Sequence, residues 1–179
     1  QGVVSNSGTL DASGREPGQT GGTVHVLGDK VGLFDNALID VSGDLGGGTV
    51  LLGGDFQGKN PDIRNASRTY VGPDVTLLAD SVTQGDGGRV IVWADDTTEF
   101  HGSVSARGGE SSGDGGFAEV SGKQHVIVTG HADCILFCGR VVLVEGDGRQ
   151  WSRAIFCPLA VGRAGAVAGF TSVPASGKR

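Results

Sequence analysis

The sequence predicts an all-β protein built as a parallel β-helix, a solenoid of about four to five coils, with an irregular C-terminal tail. A short phrase repeats at intervals of a few tens of residues, and each copy alternates apolar with polar residues. Repetition at this period is typical of a solenoid, in which each repeat forms one unit and stacks on the next. The repeats stop near residue 132, so we divide the chain into β-helix repeats at 1–132 and an atypical tail at 133–179.

The clearest repeat is a double glycine followed by a short strand. Its four copies are GGTVHVLG at 21–28, GGTVLLGG at 47–54, GGRVIVWA at 87–94 and GGFAEVSG at 115–122. Two positions in every copy are apolar, namely Val24, Val50, Val90 and Ala118, and then Val26, Leu52, Val92 and Val120. Because successive side chains of a strand point to opposite faces, this spacing predicts a strand with one buried face.

Two further strands complete each repeat. The second phrase reads LDASG at 10–14, IDVSG at 39–43, LLADS at 77–81 and VSARG at 104–108. A weaker apolar patch occurs at 31–34, 70–71, 100 and 126–128. Three short strands per repeat, without a helical period, match one coil of a three-sided parallel β-helix. Glycine, at 34 of 179 residues against a usual share of about 7%, suits the tight corners between the strands.

One interval between repeats contains an insertion. The glycine pairs begin at 21, 47, 87 and 115, so the middle interval of 40 residues exceeds its neighbours of 26 and 28. We assign the excess to 59–72. Insertions in repeat proteins form loops on one face, often the face that meets a partner. The candidate ligand-binding residues are Asp62, Arg64, Asn65, Arg68 and Tyr70 of the insertion and the outward-facing Trp93. They could hydrogen-bond to and stack on a sugar; the alternative is a surface loop without a ligand.

The repeat unit resembles that of a known family. The phrases GTLDASG, GGTVHVLGD, GGRVIVWADDTTEFHG and GGFAEVSGK are similar to the shafts of filamentous haemagglutinin-like exoproteins of bacterial two-partner secretion. The resemblance covers about residues 1–130 and implies a right-handed parallel β-helix. It also implies a secreted or cell-surface protein, associated with the outer membrane and exported by a partner transporter barrel. The NPNGI- and NPNGL-type motifs of the family's export module do not occur in this sequence.

The tail differs from the repeats in pattern, charge and cysteine content. Residues 134–179 hold 6 of the 14 Lys and Arg residues but only 2 of the 20 Asp and Glu residues. The first 133 residues therefore carry 8 basic against 18 acidic residues. Such a simultaneous shift marks a boundary. The tail is interpreted as a cap on the open end of the solenoid, as a poorly ordered segment, or as an out-of-frame product. Residues 141–144 could still add one strand to the rod.

All three cysteines, Cys134, Cys138 and Cys157, lie in the tail. The spacing of Cys134 and Cys138, with His125 and His131 close by, is compatible with a metal site. Zinc sites usually contain a second tight pair of ligands, which is missing here. The alternatives are a disulfide and thiols without a function.

An enzyme is the main rival interpretation. Parallel β-helices also carry pectate lyases and polygalacturonases, so the fold class alone leaves carbohydrate cleavage open. Asp29, Asp55 and Asp95 each fall eight residues after the first glycine of their pair, whereas Lys123 occupies that place in the fourth copy. If the register holds, these carboxylates stack at one corner, where they could bind Ca²⁺ or bond to turn amides. No basic residue repeats beside them, so we predict no catalytic residues.

Charge and hydropathy exclude other classes of function. The net charge of −6 argues against nucleic acid or anionic lipid as the main partner. The apolar run at 164–173 is about half the length of a membrane span, so no membrane insertion is predicted. No nucleotide-binding glycine motif is present, and no cofactor is expected. The sequence therefore predicts a structural or adhesive segment of a bacterial exoprotein that binds rather than catalyses, with a glycan or another cell-surface molecule as the candidate ligand. A third alternative is a pure scaffold with no specific ligand.

Overall fold

The computed structural model describes residues 2–133 and, beyond them, the strands at 140–145, 152–156 and 168–169. The chain winds into a parallel β-solenoid of about five turns, which confirms the predicted fold class. Within the described residues the only helix is a single 3-10 turn, Phe56–Gly58, and no helix there has the length and apolar character needed to cross a membrane.

Each coil contributes one strand to each of three sheets. Sheet A contains β1 (Val3–Asn6), β4 (Lys30–Leu33), β7 (Arg68–Val71), β10 (Thr97–Phe100) and β13 (His125–Val128). Sheet B contains β2 (Thr9–Asp11), β5 (Leu38–Asp40), β8 (Thr76–Leu78), β11 (Ser103–Ser105), β14 (His131–Asp133) and β17 (Ala168–Gly169). Sheet C contains β3 (Thr23–Val26), β6 (Thr49–Leu52), β9 (Arg89–Ala94), β12 (Phe117–Gly122), β15 (Arg140–Glu145) and β16 (Ser152–Phe156).

The observed register is the one that the repeats predict. In sheet C, Val50 pairs with Val24 and Val90, and Val90 pairs with Ala118. In sheet B, Leu77 pairs with Ile39 and Val104. The interior side chains form one core cluster, which Leu33, Val71 and Phe100 of sheet A join with no exposed surface. The eight apolar positions of the glycine-pair strands therefore face inward, as predicted, although Val24 in the first coil is only partly buried.

The second glycine of each pair lies at a corner where coils touch through their backbones. A Cβ on Gly48 would lie 2.0 Å from the carbonyl oxygen of Gly22 in the preceding coil. A Cβ on Gly88 or on Gly116 would likewise lie 2.1 Å from a carbonyl oxygen of the preceding coil. Real Cβ atoms do not come this close, so the spacing of the coils at this corner requires glycine. The repeated glycine is thus a packing requirement of the stack.

The insertion begins and ends earlier than the sequence predicts. Residues 53–67, which we call the cap, connect β6 to β7, whereas residues 95–96 suffice between β9 and β10. The predicted range of 59–72 is wrong at its C-terminal end, because Arg68–Val71 is a regular strand in register with Lys30–Leu33. Thr69 and Val71 of this strand are buried, and its polar residues Arg68 and Tyr70 face outward.

The strands beyond residue 133 change the pairing pattern. The strand β15 is parallel to β12 and extends sheet C, in agreement with the suggestion that residues 141–144 add a strand. The strand β16 is antiparallel to β15, and β17 is antiparallel to β14, unlike every pairing within the coils. Cys134, Cys138 and Cys157 lie outside the described residues. The domain boundary after residue 132 stays a prediction.

Candidate functional site

The cap lies against the outer face of sheet C. Its glycines allow the backbone to approach Trp93 of β9: a Cβ on Gly58 would lie 2.5 Å from the indole ring, and one on Gly54 would lie 2.6 Å from it. Gly58 also adopts φ +60°, a conformation that glycine reaches at little cost. The cap can therefore follow the surface of the sheet closely.

A second, small hydrophobic core forms beneath the cap. Leu51, Ile91 and Trp93 point away from the solenoid interior yet are at most 4% exposed. Ile63 of the cap and Phe117 of β12 pack against them. Trp93 points outward as predicted, but it is only 2% exposed in the closed structure, and its role in ligand binding stays a prediction. The cap covers the indole ring, and the repeat pattern does not encode this long-range contact.

Two carboxyl groups at the contact between the cap and sheet C have pKa values shifted in opposite directions. Burial alone would raise the pKa of Asp55. Hydrogen bonds from the Asn60 side chain at 2.8 Å and from the Phe56 amide at 2.7 Å, together with the charge of Arg89, outweigh burial and lower the pKa below its usual value. Arg89 donates to Asp55 Oδ1 at 2.9 Å. Burial raises the pKa of Glu119, against the opposing hydrogen bond from Ser121.

Glu119 is completely buried on the outer face of β12. Its Oε1 atom accepts hydrogen bonds from Ser121 Oγ at 2.5 Å and from the backbone amide of Gln57 in the cap at 3.2 Å. Its Oε2 atom is buried without a hydrogen-bond partner. A buried carboxylate that lacks donors is costly, so this environment favours the neutral acid.

A pair of carboxyl groups with opposite pKa shifts is the pattern that acid and base catalysts share. Here Asp55 would be the ionised member and Glu119 the protonated one. Glu119 has no exposed surface, and the backbone amide of Gln57 in the cap is hydrogen-bonded to it. A substrate therefore has no path to Glu119 while the cap is closed.

The insertion residues proposed for ligand binding separate into two places. Asp62 and Arg64 are exposed on the cap. Asn65 is partly buried and fastens the cap, because its Nδ2 donates to the Gly58 carbonyl at 3.0 Å and to Asp95 Oδ1 at 3.2 Å. Its Oδ1 atom, like Glu119 Oε2, is buried without a partner.

Arg68 and Tyr70 lie on the outer face of sheet A. The ring of Tyr70 stacks on Phe34 with centroids 5.3 Å apart and contacts His101 at 5.7 Å. Arg68 forms an exposed ion pair with Asp96, at 3.3 Å between Nε and Oδ2. Phe34, Arg68 and Tyr70 border a shallow cleft of about 180 Å³, which Lys30 and Glu99 also line. This cleft is the candidate binding surface of sheet A.

The predicted ladder of Asp29, Asp55 and Asp95 is not formed. Asp55 belongs to the cap, in which its carboxylate accepts the Phe56 amide at the start of the 3-10 turn. The carbonyl oxygen of Asp29 accepts from the Ser67 amide at 2.7 Å, and the Asp95 amide donates to the Ala66 carbonyl at 2.8 Å. The coil between Asp29 and Asp95 therefore places Ala66 and Ser67, and not Asp55, at this corner. Among residues 2–133 and the three later strands, no group of three His, Cys, Asp or Glu side chains could hold a metal ion.

Comparison with known proteins identifies a structural relative. No family model and no curated protein sequence matches the chain. Among solved structures, the HMW1 secretion domain from Haemophilus influenzae superposes with a TM-score of 0.63 and 29% sequence identity over 74% of this chain. The chain resembles a bacterial secretion domain. This likeness confirms the predicted resemblance to filamentous haemagglutinin-like exoproteins of two-partner secretion. The matched region is 37% of the length of that neighbour.

Sequence reasoning missed the Asp55, Arg89 and Glu119 cluster, although one signal for it exists. In the aligned glycine-pair strands, Glu119 occupies the outward position that Leu51 and Ile91 fill in the two preceding coils. A carboxyl group in an apolar column indicates either an exposed end of that column or a buried polar site. The cap, which connects β6 to β7, makes it a buried site.

Proposed function

We propose that the chain is a structural and adhesive segment of a secreted or cell-surface bacterial exoprotein, which an outer-membrane transporter barrel exports. The five-coil parallel β-solenoid, with its likeness to the HMW1 secretion domain, is the observation that carries this proposal. A rod of this kind extends a surface by stacking coils at about 4.8 Å each and leaves its outer faces free to vary. We expect it to bind rather than catalyse.

Export is tested on the source bacterium. An antibody against this chain should label intact cells or detect the protein in the medium, and disruption of the partner transporter gene should abolish both signals. Labelling that requires permeabilised cells in both strains would contradict export by this route.

The proposed ligand is a glycan or another cell-surface molecule. Two surfaces offer suitable groups: Asp62 and Arg64 on the cap, and Arg68 and Tyr70 beside the cleft of sheet A. An aromatic ring flanked by charged hydrogen-bonding side chains suits a sugar that presents both an apolar face and hydroxyl groups.

Glycan-array and cell-binding assays of two double variants distinguish these surfaces. Asp62→Ala with Arg64→Ala tests the cap, and Arg68→Ala with Tyr70→Ala tests sheet A. Lys123→Ala, another exposed position, is the matched control. We expect loss of binding in one double variant and no change in the control. Equal binding by all variants would contradict the assignment of these residues.

The rival function is a carbohydrate-active β-helix enzyme of the pectate lyase or polygalacturonase type. The opposite pKa shifts of Asp55 and Glu119 favour it, and the burial of Glu119 opposes it. Turnover of pectin-like substrates that disappears in Asp55→Asn and in Glu119→Gln, but survives in Glu110→Gln, would establish the enzyme and overturn our proposal.

A further inference from the structure

The contact between the cap and sheet C contains one charged pair and one buried acid. Arg89 of β9 is bound to Asp55 of the cap at 2.9 Å and lies 6.0 Å from the centre of the Phe56 ring. Glu119 of β12 accepts the Gln57 amide of the cap at 3.2 Å. The cap is therefore attached to sheet C through an ion pair and a buried acid.

Ionisation of Glu119 has no adequate compensation in the closed structure. Only Oε1 has donors, and Oε2 is buried without one. Arg89, which favours the ionised form of Glu119, is hydrogen-bonded to Asp55, whose negative charge opposes a second negative charge nearby. A buried charge without donors costs more free energy than the neutral acid, and the cost disappears once water reaches the carboxylate.

We propose that the cap is a proton-controlled lid: neutral Glu119 keeps it closed on sheet C, and ionised Glu119 releases it. Opening would hydrate Glu119 and uncover Leu51, Ile91 and Trp93, the small core beneath the cap. The interior cluster excludes these three side chains and contains only Ala66 of the cap, next to β7, so opening of the contact with sheet C leaves the interior cluster in place. The lid therefore changes an outer surface of the protein without unfolding the solenoid.

The direction of the effect follows from the two carboxyl groups. Burial raises the pKa of Glu119 in the closed state. The neutral acid therefore stabilises closure fully below the ordinary carboxyl pKa of 4.5, and this stabilisation is lost as pH rises through the raised pKa. The pKa of Asp55 is lowered, so its contribution is present above its ordinary value of 3.8 and is lost as pH falls through the lowered pKa. Closure is therefore most stable at mildly acidic pH and weakens toward neutral and alkaline pH.

The groups around Glu119 leave this sign unchanged. On the cap these are Asp55, which repels the carboxylate, and Lys59, whose Nζ donates to the Gln57 side chain at 2.6 Å. On β9, Arg89 attracts it without overcoming the effect of burial. On the other side, β15 is in register with β12, and its residue Val142 pairs with Glu119.

Trp93 is a built-in reporter of the lid. We suggest acrylamide quenching of its fluorescence between pH 4 and pH 8 in a Trp151→Phe background, which removes the other tryptophan of the chain. The quenching constant should rise several-fold with pH while the far-UV circular dichroism stays constant. Glu119→Gln, which cannot ionise, should stay weakly quenched throughout, and Glu110→Gln, an exposed acid away from the cap, should behave like the parent.

Three results would overturn the proposal. The first is quenching of the parent protein that does not change with pH. The second is the same pH dependence in Glu119→Gln as in the parent. The third is exposure of Trp93 only when the circular dichroism signal of the rod is lost, since that would mean global unfolding. The proposed adhesive function is not affected by any of these results.

Discussion

Leu77→Ala is the sharpest test of the solenoid core. Leu77 has no exposed surface and is in register with Ile39 below and Val104 above. A buried Leu→Ala substitution costs about 2–5 kcal/mol, depending on how far the surroundings relax into the cavity. Backbone hydrogen bonds on both sides fix the spacing of these coils at about 4.8 Å. Because the coils cannot move together, we expect a cost in the upper half of that range, about 3.5–5 kcal/mol.

Urea denaturation followed by far-UV circular dichroism measures this loss. With a slope of about 2 kcal/mol/M, a loss of about 4 kcal/mol lowers the midpoint by about 2 M. Leu45→Ala is the matched control, because Leu45 is 37% exposed and should lose less than about 1 kcal/mol. If the two variants had the same midpoint, Leu77 would not lie in a rigid core and the proposed stacking of coils would be refuted.

Three further predictions test the corner, the ion pair and the cap. Gly48→Ala should destabilise the protein by several kcal/mol, because the new Cβ would lie 2.0 Å from a carbonyl oxygen of the preceding coil. Gly8→Ala is the control: its Cβ would meet no atom nearer than 3.7 Å, so the thermal midpoint should change little. Asp55→Asn should cost about 1–2 kcal/mol in chemical denaturation at mildly acidic pH, where the cap is closed. That difference should shrink as pH falls through the lowered pKa of Asp55; a constant difference would contradict the ion pair. Deleting residues 56–65 should preserve the circular dichroism of the rod and expose Trp93, whereas deleting 59–72 also removes β7 and should abolish cooperative unfolding.

The repeat pattern was sufficient to predict the interior of the protein. Val50, Val90 and their counterparts stack as the aligned phrases require, because a strand with alternate apolar residues has one way to face the core. The same pattern placed the end of the insertion wrongly. In Arg68–Val71 the outward residues are Arg68 and Tyr70, which resemble a polar loop when read without the neighbouring strands. Pairing with β4 and β10 shows that the segment is a strand.

The site under the cap could not be predicted from the repeats. The burial of Trp93 and Glu119 depends on where residues 53–67 fold back, and the outward positions of a solenoid carry no periodic constraint. The predicted aspartate ladder failed for the same reason: equal spacing from the glycine pair aligns residues only if no insertion intervenes. In this chain Asp55 is drawn into the cap and away from that corner.

The alignment of every coil along one axis has a mechanical consequence. Hydrogen bonds between parallel strands point from coil to coil, so tension applied to the two ends of the rod loads them in series. Separating one coil requires three short ladders to break together, after which about 27 residues, the distance from Val3 to Lys30, come free. At about 3.4 Å per residue, that coil supplies roughly 90 Å of extended chain in exchange for about 5 Å of rod. A tethered protein of this form would lengthen stepwise under load, dissipating energy at each step before the anchoring contact is broken.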